Sequence, residues 1–283
     1  MSLELLFLGT GTSAGIPMIG CGCPVCRSDD PRDKRDRPSV LIRYDDPSLK
    51  VDDTHANFNA KQVGKRQLLI DTAPDMRQQM IRESISRLDA VIFTHAHADH
   101  TFGLDDLRRF NAVMDTALDI YAEPNVIDQL KTTFRYIFEP HTNVNKSFIA
   151  NLIAHPIAEH QPMDFFGAIW TPLRLMHGRL PVLGYRIDFA GRSIAYCTDV
   201  STIPPDTYPK LQYLDVLVLD GLRYRHHPTH LTVDRAIEII DELQPKQAYL
   251  THIAHDISHT ELSPRLPARV DLAYDGLSVD LGD

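Results

Sequence analysis

Four potential metal ligands fall inside the seven residues Thr94-His95-Ala96-His97-Ala98-Asp99-His100, directly after the apolar run Ala90-Val91-Ile92-Phe93. A β-strand that ends in a tight loop brings all four side chains into one small volume, and that requirement narrows the folds open to the chain. Neutral imidazole and carboxylate are donors that suit zinc, manganese or ferrous iron. A solvated polar loop is the plain alternative. Histidines and an aspartate so closely spaced just past a strand favour the metal.

A second cluster precedes it. Gly20-Cys21-Gly22-Cys23-Pro24-Val25-Cys26 places three thiols at C-x-C-x-x-C spacing, close enough to converge on one tetrahedral ion. A structural zinc needs a fourth ligand from elsewhere in the chain. Cys197, inside Ile194-Ala195-Tyr196-Cys197-Thr198, reads as an ordinary buried cysteine. The loop Gly9-Thr10-Gly11-Thr12-Ser13 is a weak candidate for a phosphate cradle, and a plain turn is the better reading.

The 283 residues can bury a sizeable core. A net charge of −9 disfavours general attraction to long nucleic acid or to anionic membranes, while a small anion held at cations stays compatible with it. No apolar run approaches the roughly 20 residues of a membrane span. Leu3 to Leu8 lacks the flanks of a signal peptide, so the expected location is cytoplasmic. In that compartment cysteines are thiols or metal ligands rather than disulfides.

Apolar runs and their boundaries predict strands at Leu3–Leu8, Ser39–Tyr44, Gln67–Ile70, Leu118–Tyr121, Ser147–His155, Ala168–His177, Ile194–Thr198, Val216–Leu219 and Ala248–Thr251. Helical spacing predicts helices from Met76, through Leu104, Leu107 and Phe110, from Pro124 through Ile137, and from Val233 to Leu243. Arg27–Pro38 alternates charge and reads as a solvated loop. Residues from about 45 to 66 form a polar insertion. No linker separates two cores, so a single domain over 1–283 is expected.

The pattern H-x-H-x-D-H resembles the signature of the metallo-β-lactamase superfamily. That resemblance implies an α/β fold, a four-layer αββα sandwich of two facing mixed β-sheets with helices on both outer faces. It also implies that a histidine, an aspartate and a histidine should follow at strand ends, in that order. His177, Asp199 and His252 meet this requirement. The cysteine loop at 20–27, Gly9-Thr10-Gly11, the late His230 and the sequence Thr251-His252-Ile253-Ala254-His255 resemble more narrowly the PhnP-type branch, of which phosphoribosyl 1,2-cyclic phosphate phosphodiesterase is the best-known member.

By that likeness His95, His97 and His177 hold one metal, Asp99, His100 and His252 hold a second, and Asp199 bridges them. Cys21, Cys23, Cys26 and His255 bind the structural zinc. Asp71 orients a ligand histidine from behind, and His230, with Asp99, serves catalysis. Arg223 and Arg225 lie near His230 and are candidate substrate contacts. The expected cofactors are two divalent cations, zinc or manganese, beside the one structural zinc. The expected activity is metal-dependent hydrolysis of a small phosphodiester, a cyclic sugar phosphate or nucleotide, by metal-activated hydroxide. A tRNA 3′-processing endonuclease and a non-catalytic zinc protein of cofactor biosynthesis are the alternatives. The expected partner is the small substrate; a homodimer stays open.

Overall fold

The computed structural model describes residues 1–49, 64–144 and 148–282. Residues 50–63 of the expected insertion, and Ser147 at the head of one expected extended run, lie outside the described residues. In chain order the strands are β1 (Leu3–Gly9), β2 (Ser39–Asp45), β3 (Lys65–Ile70), β4 (Ala90–Ile92), β5 (Leu118–Ala122) and β6 (Leu152–Pro156). They continue as β7 (Met163–Phe165), β8 (Ala168–His177), β9 (Leu180–Phe189), β10 (Arg192–Cys197), β11 (Val216–Asp220), β12 (Gln247–Thr251), β13 (Val270–Leu272) and β14 (Ser278–Asp280). The helices are α1 (Met76–Arg82), α2 (Ala98–Thr101), α3 (Leu107–Met114), α4 (Pro124–Thr133), α5 (Arg135–Phe138), α6 (Val233–Leu243) and α7 (His259–Leu262). Among the described residues no helix is long and apolar enough to cross a membrane.

The chain forms two compact units: Met1–Leu8 with Ser39–Ala158 and Ser278–Asp283, and Gly9–Pro38 with Glu159–Leu277. Each is built on one mixed seven-stranded sheet.

In the first unit the strand order is β14-β1-β2-β3-β4-β5-β6, with β3 to β6 parallel. Register aligns Leu41, Leu69, Val91 and Ile120 in one row across four strands. That row meets Met76 and Met80 of α1, Leu107 and Phe110 of α3, and Val126 and Leu130 of α4. Burying side chains of this size contributes about 1.5–3 kcal/mol each, which holds the helices to the sheet. Two helices are shorter than their apolar spacing predicts. The run expected from Pro124 through Ile137 breaks at Phe134, with φ −110° and ψ 43°, where Thr132, Thr133 and Phe134 are weak helix formers. The run after His100 is interrupted at Gly103. A Cβ there would sit 2.3 Å from the Ala73 carbonyl, so only glycine lets these two loops touch.

In the second unit the order is β13-β12-β11-β10-β9-β8-β7, and β10 to β13 are parallel. Cys197, Leu219, Leu250 and Leu272 form the equivalent row and pack against Val233, Ala236, Ile240 and Leu243 of α6. Thr232 Oγ1 accepts the Arg235 N–H to start α6, and Gln244 in the left-handed region ends it before Pro245. β9 was not expected, although Val182, Leu183, Tyr185 and Ile187 are buried and Gly178-Arg179 forms a tight turn into it.

Candidate metal centre

In both units the chemistry-bearing side chains sit just beyond the carboxyl ends of strands, where an open α/β sheet offers its crevice. Asp71 follows β3, His95 lies just past β4, His177 ends β8, Asp199 lies just past β10, Asp220 ends β11, and His252 follows β12. Asp71, Asp199 and His252 have φ of 64°, 53° and 60°. The left-handed region costs a non-glycine residue about 1–3 kcal/mol, and such strain persists at sites that the surroundings over-determine.

In the first unit Asp71 is the hub. It accepts the Thr94 N–H at 2.8 Å, the Thr94 hydroxyl at 2.8 Å and His100 Nδ1–H at 2.7 Å. Because the Thr94 hydroxyl donates to Asp71, its oxygen accepts His95 Nδ1–H at 2.9 Å. Both rings therefore carry their lone pair on Nε2, the tautomer a metal ligand needs. Burial pushes the Asp71 carboxyl up, and the charge and hydrogen bond of His100 draw it back. The rings of His95 and His97 lie 4.5 Å apart, those of His95 and His100 4.2 Å, and Asp99 Oδ2 is 3.5 Å from His100 Nε2.

In the second unit His177 Nδ1–H donates to the Thr229 carbonyl at 2.8 Å, which again leaves the lone pair on Nε2. His252 Nε2 is 3.4 Å from Asp199 Oδ1. His230 stacks on His252 at 4.6 Å and meets His177 edge-on at 4.6 Å. Its Nδ1–H donates to Asp220 Oδ2 at 2.5 Å, and Asp220 is itself fixed by the N–H groups of Val200 and Leu222. Donor atoms of His177, Asp199 and His230 lie within 4.8 Å of one another, so His230 sits beside the potential ligands His177 and Asp199.

The cysteine loop closes on His255 within the second unit. His255 Nδ1 lies 3.3 Å from Cys21 Sγ, 3.4 Å from Cys23 Sγ and 4.0 Å from Cys26 Sγ. Tetrahedral donors at zinc distances stand about 3.3–3.8 Å apart; two of these separations fall in that range and the third just beyond it, so a small inward shift of Cys26 would complete the set around that ion. The Cys26 N–H holds the Cys23 thiol down to about 6, while burial pushes Cys26 up to about 11. Arg35 secures this loop from beneath. It is fully buried, pairs with Asp33 at 3.0 Å, and donates to the carbonyls of Ala254 and Ile257 on either side of His255. The expectation of a wholly solvated loop over Arg27–Pro38 fails here, because the alternation of charge supplied a partner for a buried guanidinium.

Two other loops have structural explanations. The N–H groups of Thr10, Gly11 and Thr12 are spent on Asp275, Asp36 and Ile253, so these three are not offered to a phosphate. Arg223 donates to the carbonyls of Arg225 and His226 and thereby shapes its own loop, while the Arg225 side chain is exposed. Sequence reasoning assigned no role to Asp220 or Thr229. The signal for Asp220 was present: a carboxylate ends the fully buried strand Val216–Asp220 beside the strand that leads to Asp199.

Residues 66–253 match the family described as the beta-lactamase superfamily domain. A crystal structure of a new diphosphatase from the PhnP family is similar over 99% of this chain and 98% of that one, with 39% identity and a TM-score of 0.85. Zinc-bound PqqB from Methylobacterium extorquens shares the fold at 18% identity and a TM-score of 0.74, over 98% of this chain and all of that one. A Porphyromonas gingivalis protein named octanoyltransferase is 38% identical over 97% of this chain; the chain spans about half of that protein's length, 51%.

Proposed function

The chain belongs to the beta-lactamase superfamily, in its PhnP-type branch with the metallo-β-lactamase fold, and on that premise we propose that it is a dinuclear metal hydrolase of small phosphodiesters. His95, His97 and His177 would hold one divalent cation, Asp99, His100 and His252 the other, with Asp199 shared. Cys21, Cys23, Cys26 and His255 would hold a structural zinc. Zinc or manganese suits the paired site. When bound, the two cations supply Lewis acidity to a phosphoryl oxygen and lower the pKa of water.

The rest is the work of the chain's own residues. Asp71, Thr94 and the Thr229 carbonyl hold three ligand rings by Nδ1 and fix Nε2 as the donor nitrogen. Asp220 holds His230 in the same way. Carrying a proton on Nε2 as well, His230 would donate to a phosphoryl oxygen and then to the leaving oxygen, which a diester must release as an alcohol. The reading is supported above all by one histidine, His230, which is stacked on His252 and locked to a buried carboxylate, and which we assign as the general acid rather than as a further ligand.

The neighbour with 39% identity is called a diphosphatase, so phosphoanhydrides join the diesters as candidates. An acidic chain working in the cytoplasm on a small substrate suits both. The test is a survey of bis(p-nitrophenyl) phosphate, cyclic and linear diesters, diphosphates and an octanoyl thioester with zinc- and manganese-loaded protein. Turnover of a diester or diphosphate with about three metals per chain is expected. Metal at the cysteines alone, with no phosphoester cleaved, would sink the reading.

A further inference from the structure

A groove of about 590 Å³ runs between the short helices α1 and α3, wholly within the first unit. The two helices start side by side: a Cβ on Gly103, just ahead of α3, would come within 2.8 Å of Met76 Cβ at the head of α1. The floor is apolar. Met76, Met80, Ile85 and Phe110 are buried in it as part of the core. Methionine is unbranched and polarizable, so such a floor adapts to the outline of a guest. The upper walls stay open, with Ile81 57% exposed and Val113 half-buried. A lone bare isoleucine would be ordinary, but one that borders an apolar trough marks packing that a bound molecule completes.

Charge is confined to one end. Arg77 lies in the first turn of α1 and Arg109 in the first turn of α3; both are exposed, and among the described residues neither has a carboxylate partner. Asp106, just before α3, shares that end, and its side chain makes no capping hydrogen bond. Two guanidiniums against one carboxylate leave this end cationic in a chain whose net charge is −9. The other end is closed by the turn through Ser84, with φ 54°, where the Ile85 N–H returns to the Met80 carbonyl. No charged side chain lines it. An amphipathic helix of a partner protein would bring a row of anchors and charge along both flanks. A blind apolar trough with a cationic mouth is complementary to something simpler, a single alkyl chain that ends in an anion.

We propose that this groove binds a medium-chain carboxylate, a free fatty-acid anion, with Arg77 and Arg109 holding the carboxylate and Ile81, Ile85 and Val113 lining the tail. The groove shares no lining residue with the proposed metal centre, so its occupancy can be read without reference to hydrolysis.

The test is calorimetry on the metal-loaded full chain, below the micelle threshold, with decanoate, octanoate, decanol and decyltrimethylammonium. Decanoate should bind about tenfold tighter than octanoate, which lacks two methylenes, and about tenfold or more tighter than decanol or the cation. Combining Arg77→Ala with Arg109→Ala should bring decanoate down to the level of decanol. Asp106→Asn should tighten decanoate several-fold, a gain that a misfolded variant cannot mimic. Ile81→Asp should weaken all the alkyl probes. Decanoate binding that ignores both arginines and vanishes when the divalent metal is chelated would place the carboxylate at the metals and overturn the proposal. The absence of saturable binding, or equal affinity for the three decyl probes, overturns it as well. So does capture on phosphatidylglycerol vesicles that depends on both arginines while decanoate stays unbound, because the groove would then be a contact for a lipid surface.

Discussion

His100 with Asp71 and His230 with Asp220 are the same construction made twice, an imidazole held through Nδ1 by a carboxylate at the end of a buried parallel strand. They differ in access. His100 and Asp71 are both fully buried, and the Thr94 hydroxyl closes the remaining side of the carboxylate. His230 keeps 9% of its side chain exposed and borders a cavity, while only Asp220 is buried. One motif can therefore serve two purposes. Enclosed on all sides, the ring is a fixed donor; left open on one edge, it can pass a proton.

That contrast is broken first by removing each ring. His100→Ala is expected to lower the divalent metal content of the proposed paired site and abolish measurable turnover, since it would delete a proposed ligand in a fully buried position. His230→Ala should retain full metal content by elemental analysis and lose about 10²–10⁴ in kcat. If His230→Ala released metal to the same extent as His100→Ala, the two pairs would share one role.

The two carboxylates sharpen the same comparison at smaller effect. Asp71→Asn keeps the shape and removes the charge, and should weaken metal affinity by about 10–100-fold, read from activity against a graded chelator. Asp220→Asn should lower kcat by a similar factor with unchanged chelator sensitivity. Both effects appearing in both variants would show that the pairs are coupled.

The first pair was more legible than the second for a physical reason. His95 to His100 are neighbours in the chain, so their convergence is local and spacing alone reveals it. His177, Asp199 and His252 are brought together by β8, β10 and β12, and only an expected order of ligands singled them out. Thr229 acts through its backbone carbonyl, which nothing in its own neighbourhood marks, whereas Asp220 at the end of a buried strand carried a readable signal. Strands with strong apolar runs, such as β8 and β11, were read to within a residue. β9 was legible as well, since Tyr185, Ile187 and Phe189 alternate with Arg186 and Asp188 along it, but Pro181 and Gly184 obscured its first half. Arg35 was misread because a buried guanidinium looks, in sequence, like any other charge in a mixed run.

The smallest effect tests whether the open pair depends on the exact placement of its loop. Gly178 has φ +63°, and a Cβ there would approach Thr229 Cγ2 to 2.8 Å. Gly178→Ala carries two penalties: a left-handed backbone on a residue with a Cβ, about 1–2 kcal/mol, and a push on the residue whose carbonyl holds His177. The expected outcome is a melting temperature lower by a few degrees and a several-fold loss in kcat with metal retained. Adding Thr229→Ser removes Cγ2 but keeps the hydroxyl that binds His227. The double variant should recover most of the kcat and little of the melting temperature, because the steric part is relieved and the backbone part is not. Recovery of both together would mean that the clash alone mattered. Recovery of neither would mean that Thr229 does not carry the coupling between the turn and His177, and that the openness of the His230 pair is set elsewhere.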